Sequence, residues 1–234
     1  MVQEHIQTRT VEFPLEGGGT ATGFDARPSC EGACPGVLVI QEWWGLNDHV
    51  KDIARRLAQE GFIALAPDLY EGKLTTDPQQ AGKWMQELNP ERAVNILRGG
   101  VKFLQEKEPI YAEHIGVMGF CMGGSYCLLL ACREPVLKAA VAFYGDMPEP
   151  ADQLKNVRCP VLFFGAGKDQ WINSAKVEKI KKAFQEYHVN GDVRVYPDAD
   201  HAFSNDTRPE VYNAAAAHEA WTRTLGFFNR TLKS

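Results

Sequence analysis

The sequence predicts an α/β fold, a mostly parallel sheet with helices on both faces and an antiparallel hairpin at the N-terminal end. Three observations predict it. Short runs such as "GVLVI" (36–40) and "FIALAP" (62–67) are apolar throughout, as strands buried on both faces are. Between such runs lie longer stretches with apolar residues at helical spacing. Strand and helix then alternate along 234 residues, a length that suits a single α/β domain spanning 1–234.

The opening "HIQTRTVEF" and "GTATGFDARP" alternate in polarity and break at Gly17, Gly18 and Gly19, which predicts the hairpin. After "GVLVI", the stretch 48–61 reads as a helix opened by Asp48 and closed by Gly61. "FIALAP" ends at Pro67, and two helices follow over 77–88 and 90–107, each with a proline near its start. "HIGVMGF" (114–120) is the next strand and leads into a helix rich in small and apolar residues. Strands are expected in 137–145, 159–169 and 192–197, and helices over 174–188 and 209–232.

Composition excludes several function classes. A net charge of −5 with no Lys/Arg run argues against nucleic acid or an anionic membrane as partner. The polar N-terminus carries Glu4 and lacks an apolar core, and the longest apolar run, "CLLLAC" (127–132), is too short to span a bilayer. A cytoplasmic enzyme or binding domain, monomeric or weakly dimeric, is therefore expected. The six cysteines form no CxxC pair and no zinc-spaced cluster, so no metal is expected. Cys127, Cys132 and Cys159 read as small core residues, and Cys30 and Cys34 lie close enough in a turn to pair under oxidation.

Cys121 differs. In "GVMGFCMGGSY" (116–126) a strand enters a Gly-x-Cys-x-Gly knot and a helix leaves it, the sequence shape of a nucleophile elbow with cysteine in the usual serine position. In parallel sheets the reactive site gathers at the carboxyl ends of the strands. The strand ends here carry Glu42, Trp43, Trp44, Asp68, Cys121, Tyr144, Asp146, Asp169, Asp200 and His201. A thiol nucleophile needs a base, and the base an orienting acid. The order nucleophile, acid, histidine is met by Cys121, Asp169 and His201. Two alternatives stand beside this reading: Asp146 competes for the acid role, and Asp169 also suits a cap for the helix from Ser174.

The segments "VIQEWWGLN", "GFCMGG", "GAGKD" and "DADHAF" together resemble the dienelactone hydrolase family. The resemblance runs from the hairpin to the last helix and implies an α/β-hydrolase fold. It implies Cys121 as nucleophile, His201 as base, Asp169 as its acid, and Glu42 as the carboxylate that contacts the resting thiol. It further implies an oxyanion hole from the backbone N–H groups of Met122 and Trp43. Trp44, Tyr144 and Phe203 are candidate walls of an apolar pocket. The expected activity is cofactor-free hydrolysis of a small ester or lactone through an acyl-cysteine. Aryl esters or thioesters with side activity on phosphotriesters are the enzymatic alternative, and a redox or thiol-sensing protein is the non-hydrolytic one.

The chain also departs from the family pattern. The family members that act on dienelactone hold the substrate carboxylate with arginines, one of them four residues after the histidine, where this chain has Asn205. The nearest arginine is Arg208, and positions 71–91 contain Lys73 and Lys83 but no arginine. A weakened preference for carboxylate-bearing substrates is expected.

Overall fold

A computed structural model describes residues 6–29, 33–107 and 110–233, with the backbone alone for 107 and 110–112. Eight strands form one sheet: β1 (Gln7–Pro14), β2 (Thr20–Arg27), β3 (Cys34–Ile40), β4 (Ile63–Pro67), β5 (Ile110–Phe120), β6 (Ala139–Phe143), β7 (Val161–Ala166) and β8 (Gly191–Tyr196). Their order is β1-β2-β4-β3-β5-β6-β7-β8. β1 and β2 are the antiparallel hairpin and join β4 antiparallel, whereas β4 through β8 pair in parallel. The fold is thus the mixed α/β fold expected from the alternation.

The helices are α1 (Asp48–Gln59), α2 (Pro78–Glu87), α3 (Pro90–Lys107), α4 (Met122–Arg133), α5 (Ser174–Glu186) and α6 (Ala214–Leu232). Strand pleating decides which helix meets which side chain. Leu38, Ile40, Val117 and Phe163 pack with residues of α3, α4 and α5. Their sequence neighbours Val37, Val39, Met118 and Phe164 pack on the other face with Val50, Ile53 and Leu57 of α1 and Phe228 and Leu232 of α6. Both faces are therefore dry, which explains runs without polar alternation. No helix among the described residues is long and apolar enough to cross a membrane.

Several boundaries differ from the sequence reading for local reasons. The residue capping α1 is Asn47, whose side chain accepts from the Val50 N–H, and Asp48 is the first helical residue. The last helix begins at Ala214 rather than 209, because Asn213 accepts from the Ala216 N–H while Val211 and Tyr212 donate back to the Arg208 carbonyl in a turn. A 3-10 turn over Ala151–Asn156, absent from the sequence reading, follows β6. The question of a Cys30–Cys34 pair lies outside the described residues, which do not include Cys30.

Candidate active site

The loops after β3, β5, β6, β7 and β8 converge at one edge of the sheet, and each carries a residue picked out from the sequence. Cys121 sits between β5 and α4 with φ 56° and ψ −119°, outside the regions comfortable for an L-residue. It is held there by hydrogen bonds: its N–H donates to the Phe143 carbonyl at 3.0 Å, and its own carbonyl accepts from Gly124 and Ser125. The flanking glycines make the turn sterically feasible. A Cβ on Gly119 would lie 2.0 Å from the Gly123 oxygen, and one on Gly123 would lie 2.4 Å from the Ile40 oxygen. That second contact also draws the start of α4 against the end of β3, which carries Glu42 and Trp43.

His201 follows β8 and bonds through Nδ1 to Asp169 Oδ2 at 2.5 Å. The other Asp169 oxygen accepts the N–H groups of Trp171 at 2.8 Å and Ile172 at 2.9 Å. Burial pulls the Asp169 carboxyl upward, but His201 and these two amides outweigh it and hold the group below its usual range. Burial likewise disfavours the charged imidazole of His201. Its hydrogen bond to Asp169 and the nearby Cys121 sulfur reverse that effect and push it up to about 10. Cys121 and His201 line one cavity, and His201 is bonded to Asp169.

The competing residues have other partners, although Asp146 lines the same cavity. Asp146 ion-pairs with Lys176 of α5, and its backbone N–H donates to Ser125 Oγ at 2.7 Å. α5 is capped by Asn173, not Asp169, through a bond from the Lys176 N–H. His114 Nδ1 contacts the Leu232 carbonyl, and His49 is buried beside Asp206. His5 lies outside the described residues.

Cys121 and His201 open onto a cavity of about 490 Å³, which Glu42, Trp43, Trp44, Met122 and Tyr144 also line. Trp43 and Trp44 meet edge to face, with ring centroids 5.0 Å apart. Tyr144 is buried and shares a 2.5 Å hydrogen bond with Ser204 Oγ. Glu42 is 1% exposed; its Oε2 accepts from Asn205 Nδ2 at 2.8 Å, and its Oε1 has no partner among the described residues. Phe203 does not reach the cavity, which corrects its place among the pocket walls. The turn after His201 puts Ala202 at φ 64° and directs Phe203 into the core, against Tyr144 and Tyr196.

Trp171, Met85 and Lys168, none of them expected from the sequence, also line the cavity. Trp171 is 64% exposed and lies edge-on to His201 at 5.1 Å. Its position two residues after Asp169 was an available signal; Met85 of α2 had none, because α2 reaches the site only through tertiary packing. Of the cations considered earlier, Arg208 lies 5.4 Å over the Trp44 ring and pairs with Glu210, while Lys73 and Lys83 do not line the cavity. Among the described residues, no cluster of three or more His, Cys, Asp or Glu could hold a metal ion.

The fold has known counterparts. Residues 22–232 match the dienelactone hydrolase family. The chain belongs to that family. A putative carboxymethylenebutenolidase from Aquifex aeolicus is 36% identical over 230 residues, covering 95% of this chain and 98% of the relative. The crystal structure of a putative dienelactone hydrolase from Klebsiella pneumoniae superposes with a TM-score of 0.90 at 31% identity, covering 97% of this chain and 99% of the other. A dienelactone hydrolase-like promiscuous phosphotriesterase, P91, from metagenomic libraries gives 0.89 at 26% identity, covering 97% and 98%. Like other dienelactone hydrolase family members, this chain is a hydrolase acting on ester or lactone bonds.

Proposed function

We propose that this protein hydrolyses neutral esters or lactones through an acyl-cysteine intermediate on Cys121, without a cofactor. The observation that carries the reading is the bond from His201 Nδ1 to Asp169, with His201 and Cys121 lining the same apolar cavity. His201 takes the thiol proton, and the Cys121 sulfur attacks the acyl carbon. The oxygen that becomes negative lies between the backbone N–H groups of Trp43 and Met122, the latter at the head of α4 where helical N–H groups lack intrahelical partners. The leaving alcohol departs with the proton from His201. Water then attacks the thioester carbonyl and gives a proton to His201; the acid leaves, and the proton returns to sulfur.

Asp169 holds His201 Nδ1 and so fixes the nitrogen turned toward sulfur. Its two backbone amides keep the carboxylate charged and oriented, so it stabilises the imidazolium without taking the proton. Enol lactones, thioesters and aryl esters, whose leaving groups depart readily from a thiolate adduct, are the substrates that suit this chemistry. The likeness to P91 favours phosphotriesters with an aryl leaving group as a side activity, because a phosphoryl oxygen fits the same pair of donors.

The thiol-sensing alternative has less support. A resolving thiol has to reach Cys121, yet Cys127, Cys132 and Cys159 are buried. Burial pushes the Cys127 thiol well up, Cys132 up to about 12 and Cys159 up to about 11, which makes them poor nucleophiles.

The reading is tested with p-nitrophenyl acetate. Cys121→Ala is expected to lower kcat/KM by about 10³-fold or more while the far-UV spectrum is unchanged. Iodoacetamide is expected to abolish wild-type turnover in step with labelling of Cys121. Full activity in the alanine variant would remove Cys121 from the mechanism.

A further inference from the structure

Glu42 and Asn205 stand 163 positions apart in sequence, and each is 1% exposed. Asn205 Nδ2 donates to Glu42 Oε2 at 2.8 Å. Asn205 Oδ1 accepts from the Thr207 N–H at 3.1 Å and from Thr207 Oγ1 at 2.7 Å, and the Asn205 N–H donates to the Ala202 carbonyl. These contacts fix the orientation of the side-chain amide. Two donors of its own loop occupy the oxygen, so the NH₂ group has to face Glu42.

The result is asymmetric at Glu42. Its Oε2 is satisfied by a neutral donor, while its Oε1 is buried without a partner among the described residues. A buried carboxylate oxygen in that condition is costly unless a donor reaches it during turnover. Glu42 lines the same cavity as Cys121, and after burial it is the next cause of the upward push on the Tyr144 phenol.

We propose that Asn205 is a positioning residue that acts through Glu42, holding Oε2 and so leaving Oε1 to accept a hydrogen bond during turnover at the cavity that Cys121 lines. The proposal rests on the Cys121 reading above. Asn205 touches no reacting atom; its effect passes entirely through the carboxylate that it orients.

The test is a double-mutant cycle read by steady-state kinetics on a neutral aryl ester and by the pH profile of Cys121 alkylation. Asn205→Ala is expected to lower kcat roughly 10- to 100-fold with KM changed less than about threefold, and to move the alkylation profile. In a Glu42→Ala background the same substitution is expected to cost less than about twofold, because the group it positions is gone. Asn205→Asp is expected to lose activity at neutral pH and to recover part of it on acidification, when the introduced carboxyl is protonated and donates again. Thr207→Val removes one of the two donors to Asn205 Oδ1 and keeps the Thr207 N–H, so it is expected to lower kcat less than Asn205→Ala does. If Asn205→Ala alone fails to fold, the Glu42→Ala pair still carries the comparison, since it no longer buries a carboxylate. Unchanged kcat in Asn205→Ala or additive losses in the cycle would each overturn the proposal. None of these results bears on the nucleophile, which Cys121→Ala judges separately.

Discussion

At the scale of single residues, the site combines backbone strain with an unusually basic histidine. Cys121 occupies φ 56°, a conformation that costs an L-residue about 1–3 kcal/mol and glycine little. Both Cys121→Gly and Cys121→Ala remove the thiol, but only the glycine variant relieves the backbone. We therefore expect the glycine variant to be the more stable of the two by about 1 kcal/mol, a difference of roughly 2–4 °C in Tm by calorimetry. Equal melting would mean that the elbow stores no strain at this position. The histidine gives a second prediction, in which the sign follows from linkage. His201 binds its proton more tightly when folded, at about 10 against an ordinary 6.5, so its stabilisation is whole below pH 6.5 and is lost as pH rises through 10. Asp169 is shifted down from 3.8, so its contribution is whole above that value and is lost on further acidification. The two overlap between about pH 4 and 6.5. The Tm gap between wild type and Asp169→Asn is expected to be widest in that window and to shrink toward pH 10. The same variant is expected to lose about 10²- to 10⁴-fold in kcat with substrate binding largely kept, measured by steady-state kinetics.

At the scale of elements, the site depends on how closely α4 approaches the ends of β3, β5 and β6. A Cβ on Gly145, just after β6, would lie 2.3 Å from the Gly124 carbonyl carbon and the Ser125 nitrogen, both backbone atoms of α4. Neither can move without moving the elbow. Gly145→Ala is expected to destabilise the fold by about 2–4 kcal/mol, a fall of roughly 4–16 °C in Tm for a chain of this length. Gly82→Ala, within α2, is the matched comparison: its nearest neighbour is Trp43 Cζ3 at 3.7 Å, so the helical gain of alanine over glycine is free to appear. A thermal melt of the two variants checks the contrast, and a tolerated Gly145→Ala would refute the close-contact argument.

At the scale of the whole molecule, the cavity's walls and charges select the substrate. Trp43, Trp44, Trp171 and Met85 present apolar surface, while Asn205 is committed to Glu42 and Arg208 to Glu210. Arg208 and Lys168 are the cations among the described residues lining the cavity, and neither is a buried arginine clamp. A good bidentate carboxylate contact contributes on the order of 1.5–3 kcal/mol, so its loss weakens turnover of carboxylate-bearing esters roughly 10- to 150-fold. For matched aryl esters with and without a carboxylate, kcat/KM is expected to favour the neutral one. A clear preference for the charged member would show that Lys168 or Arg208 supplies the missing clamp.

The alternation of buried strands with amphipathic helices determined the fold class from sequence, because a sheet covered on both faces leaves that periodicity in any chain that forms it. The Gly-x-Cys-x-Gly knot and the order Cys121, Asp169, His201 were legible for a similar reason, since an elbow needs small residues at fixed offsets and each partner follows its own strand. Asp169 and Asp146, by contrast, both end strands and look alike in sequence. Only the folded chain, by bringing His201 against Asp169 and Lys176 against Asp146, distinguished them. The inward turn of Phe203 and the arrival of Met85 over the cavity depend on backbone direction at one loop and on the docking of one helix, which residue type does not encode. The link between Glu42 and Asn205 lay equally out of reach, because a hydrogen bond between two loops 163 positions apart comes into being when the sheet sets its strand ends side by side.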